Sequence, residues 1–65
     1  MSLAEIMVRV RWHSAMRKHI REHRLPAANR SKDATERAIA LNRLNYHSRA
    51  GYQYCLKARA ILRGE

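Results

Sequence analysis

The second half of the chain carries apolar and small residues at the spacing of one helical face. From residue 34 onward they recur at steps of three and four residues, within an arc of about 120° on a helical projection. The members of this stripe are Leu41, Leu44, Ser48, Gly51, Tyr52, Cys55, Ala58 and Leu62. The pattern predicts a helix over roughly 34–63, and its small residues would let another helix approach closely.

The boundary before this helix is marked by the only proline, Pro26. Proline disfavours helical dihedrals at the residue before it, so we expect a first segment, roughly 3–24, to end near Arg24. Residues 25–32 would then form a connection.

The second helix carries signals at both ends and one weak point. Asp33, followed three residues later by Glu36, is a capping-box-like start, and Gly64 suits the C-terminal cap. Gly51 is unfavourable in a helix interior and could divide the helix in two.

The first segment fits two patterns. As a helix, it has one stripe formed by Ala4, Val8, Trp12, Ala15, Met16, His19 and His23, with Leu3, Ile6, Met7 and Val10 opposite. As a strand, residues 5–12 alternate in period two, with Ile6, Val8, Val10 and Trp12 on one face. The many Ala, Glu, Met, Arg and Lys residues favour the helix. We therefore predict an all-α, two-segment helical hairpin.

The strand interpretation carries a family resemblance. A strand, a short helix, a connection and a second helix in a small basic chain resemble the ribbon-helix-helix family of DNA-binding dimers, over roughly residues 6–50. The resemblance implies that Arg9 and Arg11, with Met7 or His13, face the major groove. This dimer is the alternative to the helical hairpin.

The short length predicts a single domain, residues 1–65, with a thin core. A domain of this size buries only about 60% of the surface that its unfolded chain exposes, so we expect oligomerisation, as a dimer, to complete the fold. The side chains expected at that interface are Val8, Trp12, Met16, Leu41, Leu44 and Tyr52. Trp12 would be its main anchor, because it offers the largest apolar area.

Cysteine usage and hydropathy suggest the compartment. A single cysteine, Cys55, excludes an internal disulfide framework. Arg9 interrupts the short apolar run at residues 6–8, and no run approaches the ~18 residues of a membrane span. We expect a cytoplasmic protein with no membrane partner.

The net charge of +9 is concentrated in one region, because residues 9–32 alone carry +7. Arg17, Arg21 and Arg24 recur at i, i+4 and i+7, and form a cationic ridge with Lys18. Guanidinium groups bind phosphate oxygens bidentately, so the ridge predicts contact with a polyanion, DNA or RNA. The predicted nucleic-acid-binding residues are Arg17, Lys18, Arg21, Arg24, Arg30, Lys32, Arg43 and Arg49.

A second polar face lies opposite the apolar stripe of the second helix. It consists of Asn42, Tyr46, Arg49, Gln53 and Lys57. Asn, Gln and Arg can contact base edges, and an aromatic ring can stack on an unpaired base. Any exposed helix face needs polar residues, so solvation alone also explains this pattern.

The residue spacings give little support for a catalytic or metal-binding site. His19 and His23 stand at i and i+4 but lack the further ligands that zinc needs. Cys55 has no partner at a diagnostic spacing, and the carboxylates do not pair for acid–base chemistry. We expect a non-enzymatic nucleic-acid-binding protein, such as a regulator, without metal, cofactor or small-molecule substrate. The alternative is a helical protein–protein interaction or oligomerisation module without nucleic acid.

Overall fold

The computed structural model describes residues 1–32 and 34–64 and is helical almost throughout. Its elements are α1 (Leu3–His19), a π-helical segment (Ile20–Arg24), α2 (Leu25–Ser31) and α3 (Ala34–Leu62). The first three follow one another without a gap and make up what we call the first arm, and α3 packs along it. The hairpin measures 49 × 14 × 14 Å. The predicted all-α class is confirmed within the described residues, and the packing of α3 along the first arm agrees with a helical hairpin.

Residues 5–12 lie inside α1, so the strand interpretation and the ribbon-helix-helix-like dimer are wrong. Ser2 is the N-cap of α1, and its Oγ accepts a hydrogen bond from the backbone N–H of Glu5 at 3.2 Å. The same hydroxyl donates to the Glu5 carboxylate at 3.3 Å. This Ser-x-x-Glu cap, together with helix-favouring composition, outweighs the period-two alternation.

The first arm does not end near Arg24, and residues 25–32 do not form a loop; both predictions are wrong. Pro26 occupies the first turn of α2, where a missing N–H costs little. The π-helical segment lies directly before it, and the Leu25 N–H bonds to the Ile20 carbonyl, five residues back. This wider turn relieves the clash that a proline ring makes with the carbonyl four residues earlier.

The π-helical segment also changes the spacing of the buried residues along the first arm. Ile6, His13 and Ile20 are buried and stand seven residues apart, which is the repeat of two helices packed in a left-handed coil. The next buried residue is Ala28, eight positions further on. The extra residue of the π turn accounts for this change of spacing and keeps α2 in contact with α3.

The buried face of α3 is built from small residues and one histidine: Ala40, His47, Gly51 and Ala58. A Cβ added at Gly51, which lies inside α3, would approach the His13 Cβ to 3.3 Å. The predicted close approach of a neighbouring helix is therefore confirmed. We call the contact between these residues and the buried face of the first arm the seam.

Several residues expected in an apolar stripe lie outside the seam. Val8 and Trp12 are 63% and 52% exposed, and Leu41 and Tyr52 are 43% and 59% exposed. The predicted stripe of the first segment is not the buried face of the first arm, because Ile6, His13 and Ile20 occupy the seam instead. Met16 and Leu44 are half-buried. A role for these six side chains between chains stays a prediction.

The turn and the C-terminus show two left-handed residues. Gly64 has a φ of 78°, and its N–H bonds to the Ile61 carbonyl, which confirms the predicted cap. Lys32 ends the first arm with a φ of 60°. The predicted cap Asp33 lies outside the described residues. Its expected partner Glu36 accepts a hydrogen bond from the Ser31 hydroxyl at 2.9 Å.

Candidate nucleic-acid interface

A pair of buried histidines forms the centre of the seam. His13 of the first arm and His47 of α3 are only 4% and 6% exposed, and their Nδ1 atoms lie 2.8 Å apart. One ring donates the shared hydrogen bond and the other accepts it. The pairing satisfies a polar atom on each arm that burial would otherwise leave without a partner.

Three aromatic rings surround this pair. Trp12 and Tyr46 contact the His47 ring edge-on, with centroid distances of 5.2 and 5.0 Å. Tyr54 stacks on His13 at 5.8 Å, and Trp12 also contacts that ring at 4.8 Å. We call the five rings the aromatic cluster. Edge-on and offset contacts at these distances are favourable, so the cluster fixes the orientation of its outer rings.

The seam around His13 is electrostatically positive. Burial lowers the pKa of His13 below its ordinary value of 6.5, and the nearby charges of His47, Arg9 and Arg17 lower it further. Arg17 is half-buried, and its Nε atom has no hydrogen-bond partner among the described residues. The predicted ridge residue Arg17 thus contributes to the seam as well as to the surface.

The remaining cations lie on the surface. Thirteen of the fourteen Lys and Arg side chains are exposed, including every other predicted nucleic-acid-binding residue: Lys18, Arg21, Arg24, Arg30, Lys32, Arg43 and Arg49. Three carboxylates, Glu5, Glu22 and Glu36, belong to the described residues. No ion pair within 4.0 Å joins them to a lysine or arginine. The surface charge is therefore uncompensated over the described part of the chain.

The structure brings two of the predicted cations together across the hairpin. Arg24 from the π-helical segment and Arg43 from α3 line one open groove of about 570 Å³, together with His19 and His23. The apolar residue Ile39 and the carboxylate residue Glu36 also line this groove. Lys18 and Arg21 do not line it, so the predicted ridge is divided. An anionic group in the groove could contact both arms at once.

The predicted polar face of α3 exists as a surface. Asn42, Tyr46, Arg49 and Gln53 line one shallow depression together with Asn45. Lys57, its predicted fifth member, places Nζ 5.2 Å from the centroid of the Tyr54 ring. Arg9 from α1 approaches the same ring at 5.8 Å. One cation from each arm therefore lies near the Tyr54 ring.

Sequence reasoning missed the central residues of this arrangement. The strand interpretation placed His13 in the major groove and no role was predicted for His47, although His13 continues the seven-residue spacing from Ile6 to Ile20. His19 and His23 have ring centroids 5.0 Å apart. Within the described residues, no cluster of three or more His, Cys, Asp or Glu side chains is arranged to hold a metal ion.

Among the described residues, every helix is too short or too polar to cross a membrane. Comparison with protein-family models, with curated proteins and with solved structures finds no match.

Proposed function

We propose that this protein binds nucleic acid without catalysing a reaction, and that its exposed cations contact the phosphate backbone. The observation that carries the proposal is the excess of unpaired surface charge. Thirteen exposed Lys and Arg side chains face three described carboxylates, and no ion pair joins the two groups. Such a surface attracts a polyanion, because each phosphate that it neutralises releases condensed counterions.

The shape of the hairpin suits an extended partner. Its length of 49 Å corresponds to about 14 nucleotides at 3.4 Å per step of B-form DNA. Arginine accounts for most of the cations, and its planar guanidinium binds phosphate oxygens bidentately. Arg24 and Arg43 supply such groups from both arms of one groove, which makes this groove our preferred phosphate site.

Charge reversal in the groove tests this proposal. The double variant Arg24→Glu/Arg43→Glu is compared with Arg11→Glu/Arg63→Glu, which changes the net charge equally at exposed positions outside the groove. Binding of fluorescein-labelled 20-nucleotide DNA and RNA is measured by anisotropy at about 50 mM salt, and circular dichroism verifies folding. We expect the groove variant to lose at least about tenfold more affinity than its control. Absence of binding by the wild-type chain contradicts the proposal.

A second candidate function is self-association or docking to another helical protein. The described chain exposes 5085 Å² of surface, whereas a globular monomer of 7.6 kDa exposes about 4,300 Å². Val8, Trp12 and Tyr52 are among the large apolar side chains that remain more than half exposed. Light scattering on the protein without nucleic acid tests this alternative. A dimer that binds neither DNA nor RNA would favour it over the first proposal.

A further inference from the structure

Two aromatic rings lie on the surface in fixed orientations. Trp12 is 52% exposed and Tyr46 is 59% exposed, yet each ring has its edge against the buried His47 ring. The two rings come from different arms, and the paired histidines between the arms hold them in place. Rings held this way need little further ordering when a flat partner binds to their exposed surface.

An arginine lies beside each of these rings, and Glu5 also lines the surface next to Trp12. Arg49 lies in the same depression as Tyr46, along with the amides of Asn42 and Gln53. Arg9 lines the surface beside Trp12, and its guanidinium also approaches the Tyr54 ring at 5.8 Å. The combination supplies ring surfaces for stacking and cations for the phosphates that connect successive bases.

We propose that the aromatic cluster binds single-stranded nucleic acid, with unpaired bases stacked on Trp12 and Tyr46. This inference rests on the proposed nucleic-acid function and specifies its partner. In a duplex, the flat surfaces of the bases are already stacked on one another, so only base edges and phosphates can reach these rings. Unpaired bases present free surfaces, and stacking tolerates any base sequence.

The fluorescence of Trp12 tests this proposal directly, because Trp12 is the only tryptophan. The full chain is titrated with 12-nucleotide oligo(dT), with oligo(U) and with a DNA hairpin duplex of equal charge. We expect saturable quenching by one or both single strands and little quenching by the duplex. The two single strands distinguish DNA from RNA, which share the stacking chemistry.

A pair of tyrosine variants makes the test specific. Tyr46→Leu should weaken single-strand binding about 5- to 150-fold, the range expected for one lost base stack. Tyr52→Leu is the matched control, because Tyr52 is equally exposed at 59% and has no ring contact with the aromatic cluster. Its affinity should change less than about twofold. Tyr46 is itself exposed but contacts the buried His47 ring at 5.0 Å, so urea denaturation of both variants checks that the fold is retained.

Two outcomes separate this inference from the proposed function. If single strands and duplex bind with equal, salt-sensitive affinity and Tyr46→Leu binds like Tyr52→Leu, the stacking proposal is overturned while the proposed function stands. If neither single strand nor duplex binds at low salt, both fail. Trp12→Leu, measured by anisotropy with labelled oligonucleotides, should show the same selective loss of single-strand affinity as Tyr46→Leu.

Discussion

The Nδ1 atoms of His13 and His47 lie 2.8 Å apart inside the seam between the two arms. The contact requires a proton on one of these nitrogens and a free lone pair on the other. It also joins the arms beside Gly51, where an added Cβ would lie 3.3 Å from the His13 Cβ. Addition of a second proton would place two N–H groups face to face among Arg9 and Arg17, which already disfavour positive charge on His13.

The stability of the hairpin should therefore fall as the pH is lowered below neutrality. The folded state holds the pKa of His13 below 6.5, whereas the unfolded chain takes up this proton at its ordinary pKa. The unfolded state binds more protons in this range, so stability is present above pH 6.5 and is lost below it. One proton contributes at most about 1.4 kcal/mol per pH unit.

Urea denaturation followed by circular dichroism at pH 7.5, 6.5 and 5.5 measures this slope. His13→Gln should remove most of it, while the exposed pair His19→Gln/His23→Gln should retain it. A wild-type free energy of unfolding that does not change over this range would show that the buried pair does not control stability.

Replacement of Gly51 by alanine should stabilise the hairpin less than a glycine-to-alanine change usually does inside a helix. Alanine is favoured over glycine by about 1 kcal/mol in a helix interior, but here its Cβ would lie 3.3 Å from the His13 Cβ. We expect Gly51→Ala to gain clearly less than 1 kcal/mol, and Gly51→Val to destabilise by about 1–3 kcal/mol. Ala38→Gly, at an exposed position of α3, calibrates the propensity difference. A full gain from Gly51→Ala would contradict the close approach.

Replacement of isoleucine by valine should destabilise the hairpin by different amounts at its four isoleucines, because their burial differs. Ile6→Val and Ile20→Val should each destabilise by about 0.5–1.5 kcal/mol, since both side chains are at most 2% exposed. Ile39→Val and Ile61→Val should cost less than about 0.5 kcal/mol, because 46% and 41% of these residues is exposed. Chemical denaturation ranks the four variants. Equal costs would show that the seam is not the core of the hairpin.

Replacement of Lys32 by glycine should stabilise the hairpin. Its φ of 60° is unfavourable for a residue with a Cβ, and glycine at this helix end should gain about 0.5–1 kcal/mol. Lys32→Ala removes the same charge but keeps the Cβ, so it should bring no such gain. Thermal denaturation compares the two variants, and equal melting temperatures would contradict a conformational cause.

The helix α3 and its C-terminal end were predictable from local chemistry. The small residues of α3 recur at helical spacing, and both Gly51 and Ala58 are buried as that spacing implies. Gly64 ends the helix as its conformational freedom suggests. These features depend on propensity and periodicity within one segment, which the sequence displays directly.

The buried face of the first arm was not predictable in the same way. Apolar residues surround α1, and the larger side chains Val8 and Trp12 favour the face that remains exposed. The seam is chosen by contacts across the hairpin, where His13 finds His47 and Gly51 leaves space for it. Pairing of this kind depends on residues 34 and 38 positions away from His13. The helix end predicted from Pro26 was wrong for a related reason, because a π turn accommodates the proline without ending the first arm.

The salt dependence of binding tests the central claim most directly. Affinity of the wild-type protein for a 20-nucleotide single strand is measured by anisotropy from about 50 to 400 mM NaCl at pH 7.5. Neutralisation of four to six phosphates predicts a line of log K against log salt with a slope of about −3 to −4. A slope near zero, or no binding at the lowest salt concentration, would contradict a phosphate-binding role for the exposed cations.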